Sequence, residues 1–305
     1  MVEQEGFGEY MNSQPLKISV VTPNFNGARF LEETICSVLG QDYPNLEYII
    51  CDGGSTDESV SIIRRYADRL AYWVSEADAG QPSAINKGLR MSTGDIVAFL
   101  NSDDLYRPGA LKSVADAFQH DGTISWLAGR CDQIGENGNL ISVVAPQDTD
   151  SVSDWLIFNR TPQPSTFLRR AVIEQAGLFR EDLQYSFDKE YWIRLVSLGY
   201  KLTIHPHALA AFRLHPESKT CAEPVRMLDE DVRIFNEYAG RIRSHDRSRL
   251  AAHLRWMKRR RAQLENLQRP LRARLGVASC VLAEPRMVFD YTTWTMLILR
   301  LRYPG

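Results

Sequence analysis

Between residues 17 and 100 the sequence switches repeatedly between two periods, and that switching restricts the fold more than any other feature. Short runs rich in β-branched and apolar residues, KISVVT (17–22), LEYIICD (46–52), AYWVSE (71–76) and DIVAFL (95–100), read as buried strands. Between them lie stretches with helical spacing. Leu31, Ile35, Val38 and Leu39 share one helix face, and further helices are expected over 56–66 and 83–91. Ser55 or Thr56 stands where the second helix needs an N-cap. Strand alternating with helix implies right-handed crossovers and a mainly parallel sheet, hence an α/β fold.

After residue 105 the rhythm changes. Pro108 opens a helix carrying Leu111, Val114, Ala115 and Phe118 on its inner face. The runs at 124–135 and 140–146 flank ENGN and suggest a hairpin. Short helices are expected near 153–158 and over 169–175, the latter ended by Gly177. A longer helix over 188–198 precedes a final strand region at 201–215. A boundary near 220 divides the chain into a disordered leader (1–15), a catalytic domain (16–220) and a helical, basic extension (221–305).

Acidic residues fall at the ends of these strands. Asp52 follows the second, Asp78 the third, and Asp103 with Asp104 the fourth. Ligands of open α/β sheets bind beyond the carboxyl ends of strands, so these acids converge on one crevice, with solvated turn acids as the simpler alternative for any one of them. Two consecutive acids closing a buried strand repel each other, and a divalent cation such as Mn²⁺ or Mg²⁺ resolves that conflict. Such an ion also neutralises charge on a departing diphosphate. Asp188 and Glu190 lie at the start of a helix, where the dipole favours anions.

The segments TPNFNGARFLEETICSVLGQDYPNLEYIICDGGSTDES, EADAGQPSAINKGL and TGDIVAFLNSDDLYRPGAL, in this order and spacing, resemble a family 2 glycosyltransferase. The resemblance runs over about 18–218. It implies the GT-A fold, a Rossmann-like mixed, mainly parallel sheet flanked by helices, and inverting transfer from a nucleotide-diphosphate sugar to a glycan or lipid-linked acceptor.

By this resemblance Thr22, Pro23 and Asn24 line the nucleotide pocket and Asp52 contacts base or ribose. Gly53 allows close backbone approach. Asp78, Gly80 and Gln81 contact the nucleotide or donor sugar. Lys87 is either a phosphate partner or a solvated helix lysine. Asn101 takes the place where the acidic motif often begins with Asp, followed by Ser102. Asp104 is the favoured metal ligand, with Asp103 bridging to ribose or also reaching the ion. His215, in FRLHPESKT, approaches the metal or diphosphate. Asp188 aligns with the base and Glu190 is its reserve, while Gln163, Pro164 and Ser165 shape the sugar and acceptor region. Trp192 packs in the core or floors the acceptor site.

Composition narrows the partners. With 36 basic against 38 acidic residues the net charge is −2, which argues against nucleic acid. Five scattered cysteines without a CxxC pair argue against zinc or a disulfide framework, and free buried thiols in the cytoplasm are expected. Basic residues gather at Arg241, Arg243, Arg247, Arg249, Arg255 and Lys258 to Arg261. This tail, with MVFDYTTWTMLILRLRYPG, is either a peripheral contact with the inner membrane face or a helical cap on the catalytic domain. Two other functions compete: a nucleotidyltransferase, whose phosphate loop would need more glycine than TPNFNGAR, and a non-catalytic glycan-binding protein of the same fold.

Overall fold

The computed structural model describes residues 14–149, 151–158, 161–240, 242 and 246–267. The expected rhythm is present. Strands β1 (Ile18–Asn24), β2 (Leu46–Asp52), β3 (Tyr72–Ser75) and β4 (Ile96–Phe99) alternate with helices α1 (Ala28–Leu39), α2 (Ser59–Arg65) and α3 (Gln81–Met91). Their order in the sheet is β3-β2-β1-β4, all parallel. β1, β2 and β4 are buried on both faces because their apolar residues divide by period two, while β3 at the sheet edge is half-buried. Ile18 and Val20 of β1, with Tyr48 and Ile50 of β2 and Ile96 and Ala98 of β4, face α1 and α4 (Ala110–His120). Val21, Ile49, Cys51, Val97 and Phe99 face the opposite layer, which includes α3.

The second half of the sheet is mixed. Beyond β4 come β8 (Thr166–Arg169), β6 (Trp126–Gly135), β9 (Leu202–Leu214) and the two-residue β5 (Leu105–Tyr106). β8 is antiparallel to both β4 and β6, whereas β9 runs parallel to β6. The predicted hairpin is β6 with β7 (Leu140–Val144), with a bulge at Gln133 and Ile134. Helices α5 (Val152–Ile157), α6 (Arg170–Ala176) and α7 (Phe187–Ser197) cover this half. Trp192 belongs to the core, fully buried and stacked on Trp126 at 5.3 Å.

Three short or long helices follow: α8 (Lys219–Ala222), α9 (Pro224–Ala239) and α10 (Arg247–Leu267). Ile234, Phe235 and Tyr238 of α9 and Leu250 and Met257 of α10 join the same apolar cluster as Trp192. Arg249 pairs with Asp154, and Arg261 with Asp229, so part of the basic stretch is spent on contacts within the chain. The leader before residue 14, Arg241, Arg243 and the MVFDYTTWTMLILRLRYPG segment lie outside the described residues. No helix among the described residues is long and apolar enough to cross a membrane.

Two local expectations are corrected. Neither Ser55 nor Thr56 caps α2. Ser55 turns back onto Asp52, its hydroxyl 2.5 Å from Oδ1, and Asp57 accepts the Ser59 N–H at 3.0 Å instead. The Gly53-Gly54 turn, with Gly54 at φ +81°, produces this reversal. Of the cysteines, Cys51 and Cys131 are buried free thiols, but Cys36 is exposed.

Candidate active site

β1 is the topological switch point, since β2 and β4 flank it on opposite sides. A cleft of about 1400 Å³ opens beyond the carboxyl ends of these strands. Its walls include Pro23, Asn24, Gly53, Asp78, Gly80 and Gln81 on one side. Asn101, Ser102, Asp103, Gln163 and His215 line the middle, and Asp188 the far side. Residues as far apart in sequence as Pro23 and His215 therefore share one cavity, and of the four strand-end acids Asp78 and Asp103 line it while Asp52 and Asp104 do not.

The donor side is built on a buried carboxylate. Asp52 is 1% exposed and stands beneath the cleft wall. Its two oxygens accept from Asn24 Nδ2 (2.6 Å), Ser55 N (2.9 Å), Ser55 Oγ (2.5 Å), Ser75 Oγ (2.6 Å) and Gly54 N (3.2 Å). Burial pushes its pKa up, but these hydrogen bonds outweigh burial and hold it below the ordinary carboxylate value. Asp52 thus knits three strand ends together, and it is Gly53 beside it that reaches the cavity. Thr22 is likewise fully buried, 3.0 Å from the Tyr48 hydroxyl, and its neighbours Pro23 and Asn24 form the wall.

Asp78 accepts the Gly80 N–H at 2.8 Å, a turn that Gly80 closes with φ +109°. A Cβ on Gly53 would stand 2.9 Å from Asp78 Oδ2, and one on Gly80 would stand 2.1 Å from Gln184 Oε1. Both glycines are there because other atoms occupy the space a side chain needs. Gln81 Nε2 donates to Asn101 Oδ1 at 2.7 Å, joining this loop to the acidic one. Lys87 is not on the cleft wall: it points to Glu76, with which it forms an ion pair at 2.7 Å. Of its two readings, the partly solvated helix lysine is the one the geometry carries.

The tandem acids separate. Asp104 is fully buried and turned away from the cavity, its Oδ1 accepting the Arg213 N–H at 3.0 Å and Oδ2 accepting Asn101 Nδ2 at 3.2 Å. Burial, and then the charge of Asp103, raise its pKa well above the carboxylate norm. Asp103 faces the cleft, with Oδ2 3.0 Å from His215 Nε2. Asp104, the favoured metal ligand, is thus the member that does not line the cleft, and Asp103, expected to bridge to ribose or also to reach the ion, is the one that does. The residue that decides it, Arg213, went unrecognised in the sequence. It is 1% exposed and holds Asp103 O (3.0 Å), Glu136 O (2.8 Å) and Glu33 Oε2 (2.7 Å) with its guanidinium over the Phe30 ring.

Asp103 and His215 pair a hard carboxylate oxygen with an imidazole nitrogen on the open wall. No group of three or more His, Cys, Asp or Glu side chains able to hold a metal exists among the described residues. Two protein donors suit a cation that takes its other ligands from phosphate oxygens and water, so the residues fit Mn²⁺ or Mg²⁺ held jointly with a diphosphate.

Across the cleft, Asp188 and Glu190 part company. Two residues on a helix differ by about 200° in direction, so they cannot share a target. Asp188 lines the cavity, half-buried and crowded by protein, and accepts the Lys189 N–H at 2.7 Å. Burial raises its pKa to about 6, helped by the charge of Asp231. Glu190 is 2% exposed and turns inward, where Arg194 (2.7 Å) and the Tyr238 hydroxyl (2.7 Å) occupy its oxygens. The reserve base is thus a structural anchor for α7. The walls continue onto the C-terminal helices through Asp231, Trp256 and Met257, which the sequence did not single out.

Known proteins share both sequence and architecture with this chain. A glycosyltransferase of Rickettsia typhi is 24% identical over 234 residues, 74% of this chain and 72% of that one. A glycosyltransferase of Mycobacterium tuberculosis is 30% identical over 199 residues, 64% of this chain and 74% of that one. Against one from Nostoc, 38% identical over 107 residues, the match spans only 33% of the relative. Among solved structures, S. aureus TarS in complex with UDP-GlcNAc aligns at a TM-score of 0.63 with 19% identity, covering 78% of this chain and 71% of that one. The mannosyltransferase PcManGT from Pyrobaculum calidifontis, in complex with GDP-Man and Mn²⁺, aligns at 0.62 with 20% identity, covering 96% and 89%. These two likenesses establish the GT-A fold. The sequence pattern described as Glycosyl transferase family 2 matches residues 19–174, from the first strand through the acidic loop to α6. A strand-end acidic cleft in this fold, together with that match over half the chain, places the chain in glycosyl transferase family 2.

Proposed function

We propose that this glycosyltransferase moves a sugar from a nucleotide diphosphate to an acceptor hydroxyl in one inverting displacement, with Asp188 as the base. The observation that carries the reading is one cleft with Asp103 and His215 on its middle wall and Asp188 on its far wall. Its volume of about 1400 Å³ exceeds the roughly 300–1000 Å³ of ordinary ligand pockets, which leaves room for donor and acceptor together.

The loop of Pro23, Asn24 and Gly53 receives the nucleoside, and Asp78, Gly80 and Gln81 bound the donor sugar. Asp103 and His215 would hold Mn²⁺ or Mg²⁺, which supplies charge neutralisation for the departing diphosphate. Asp188 accepts the proton of the acceptor hydroxyl as the oxygen bonds to the anomeric carbon. The bond from that carbon to the diphosphate oxygen breaks, and the diphosphate leaves with the electron pair. A base with a pKa near 6 is largely ionised at neutral pH yet still basic enough to take a proton. TarS in complex with UDP-GlcNAc and PcManGT in complex with GDP-Man and Mn²⁺ support a nucleotide-sugar donor and a divalent ion. The acceptor we propose is a glycan or a lipid-linked glycan.

The test is a thermal-shift screen of nucleoside diphosphates and their sugars with and without Mn²⁺, followed by release of the diphosphate. Stabilisation by a nucleotide sugar that needs the ion, and turnover lost in Asp188→Asn, is the expected result. Pyrophosphate release from UTP or GTP instead would favour the nucleotidyltransferase, and tight glycan binding without turnover the non-catalytic reading.

A further inference from the structure

Asp188 stands at the second position of α7, a helix whose N-cap, Ser186, makes no side-chain cap. Its carboxylate is held by the next backbone N–H of the same helix, so where it points follows from where and how α7 begins. The three residues leading into that start are gripped from elsewhere. Glu230 Oε1 accepts the Gln184 N–H at 2.6 Å, while Oε2 accepts the N–H groups of Tyr185 at 2.7 Å and Ser186 at 2.8 Å. Successive backbone donors converging on one carboxylate are the arrangement a helix start otherwise obtains from its own Asp or Ser. Here the carboxylate arrives from α9.

The same helix fixes the next residues as well. Asp231 pairs with Lys189 at 3.0 Å, and the Tyr238 hydroxyl donates to Glu190 at 2.7 Å. On the other side, Gln184 Nε2 donates to Ala79 O at 3.1 Å, and Lys219 Nζ to Gln184 O at 3.1 Å. The clamped segment is therefore also the link between the donor loop around Asp78 and the start of α7.

We infer that Glu230 is a positioning residue for the reaction, holding the segment 184–186 so that Asp188 meets the acceptor hydroxyl. This rests on Asp188 being the base. It extends the working site to a helix outside the matched span of 19–174. Without the clamp, three backbone donors turn to water and the first turn of α7 frays. Asp188 then loses its aim while the nucleotide pocket, built on β1, β2 and β4, stays intact.

Glu230→Ala and Glu230→Gln separate this from a role in stability alone. UDP-GlcNAc and GDP-mannose with Mn²⁺ serve as donor probes, and release of UDP or GDP is followed across pH. In Glu230→Ala we expect a 10- to 100-fold fall in kcat, a donor KM within twofold of wild type and unchanged thermal stabilisation by the nucleotide. Glu230→Gln, which keeps one accepting oxygen, falls between the two. The acid limb of the profile also moves to lower pH in Glu230→Ala, because a frayed turn wets the Asp188 carboxyl. The charged groups beside that carboxyl are Lys189 on its own helix and Asp231 on α9, with His253 of α10 against both, and all three are retained. A Glu230→Ala or Glu230→Gln enzyme with wild-type kcat and acid limb overturns the inference, as does a loss that falls wholly on donor KM. A wild-type chain that binds and turns over neither donor overturns the donor reading, and this one with it.

Discussion

Exchanging each of the tandem acids for its amide, Asp103→Asn and Asp104→Asn, tests the separation of roles most directly. A nucleoside diphosphate and Mn²⁺ at about one hundred times their dissociation constant stabilise the wild-type fold by about 2.7 kcal/mol. For a chain of this size that is a rise of roughly 4 °C in Tm. Asp103 is the cleft-facing carboxylate beside His215. Its loss should weaken the jointly held ion at least 100-fold, leaving less than about 0.5 kcal/mol of the ligand response by the same relation. The unliganded protein should melt near its normal temperature, because that side chain is not in the core. Asp104→Asn does the opposite. Burial and the neighbouring charge already favour the neutral acid at this position, so an amide matches it in shape and charge. The Arg213 N–H keeps its acceptor, and the conflict of two amides at Asn101 costs about 1–3 kcal/mol. The unliganded Tm should therefore drop while the ligand-induced rise survives. Differential scanning fluorimetry of the two proteins, with and without ligand, reads both quantities. A folded Asp104→Asn protein with no metal-dependent rise, beside an Asp103→Asn protein that keeps it, would refute the assignment.

Four further expectations follow from named contacts. With Asp188 as the proposed base, the wild-type kcat/KM should rise with pH through an acid limb near 6, because a base takes a proton only when deprotonated; Asp188→Asn should cost about 10²–10⁴ in turnover with nucleotide binding retained, and an unshifted limb in that variant would assign the titration elsewhere. The stability contribution of the same group runs the other way: its folded pKa of about 6 lies above the ordinary 3.8, so its contribution is full below 3.8 and is lost as pH rises through 6. Lys87→Ala should leave nucleotide affinity within twofold and cost at most about 1 kcal/mol in a denaturant melt, because its ion pair with Glu76 is partly solvated; a tenfold loss of affinity would restore its phosphate role. Arg213→Met should lower stability by about 3–5 kcal/mol, as a buried cation with several acceptors is removed, and should weaken the metal response through Asp103; a neutral melt would sink that account.

The cleft wall that we assign to the donor was legible because its information is local. Period-two strands, glycine turns and the acids after β2, β3 and β4 are written in consecutive residues, and the sheet needs only the parallel order of β1 to β4 to bring their strand ends to one side. What the sequence left open was which member of each acidic pair faces the cleft, and long-range partners settle both. Asp104 turns inward because the Arg213 N–H, 109 residues away, waits for it. Glu190 turns inward because Tyr238 and Arg194 do. For this second pair a signal was available, since residues two apart on a helix point in opposite directions and Arg194 stands four residues after Glu190. For the first pair there was none, because adjacent loop residues have no fixed relation until β9 arrives beside β6.

This contrast divides the molecule by the kind of information each half needs. The matched span ends at residue 174, with the nucleotide loops and acidic motif inside it. The proposed base, Asp188 on α7, lies after it, and so do Glu230, Asp231 and Tyr238, which come from one amphipathic helix, α9, that packs on the core around Trp192. The leaving diphosphate is the same chemical group whatever sugar it carries, so the residues that receive it can be fixed by a local pattern. The acceptor is what one transferase needs to read differently from another, and the Asp188 side of the cleft, where we propose that it binds, is walled by α9 and α10. Because α9 both lines that wall and clamps the start of α7, a change in acceptor preference through α9 also moves the base. On the proposed roles, selectivity and rate on the acceptor side are therefore coupled through Glu230 and Asp231; the wall of Pro23, Asn24 and Gly53 touches neither, and only the Asp78 loop reaches the clamp, through Gln184.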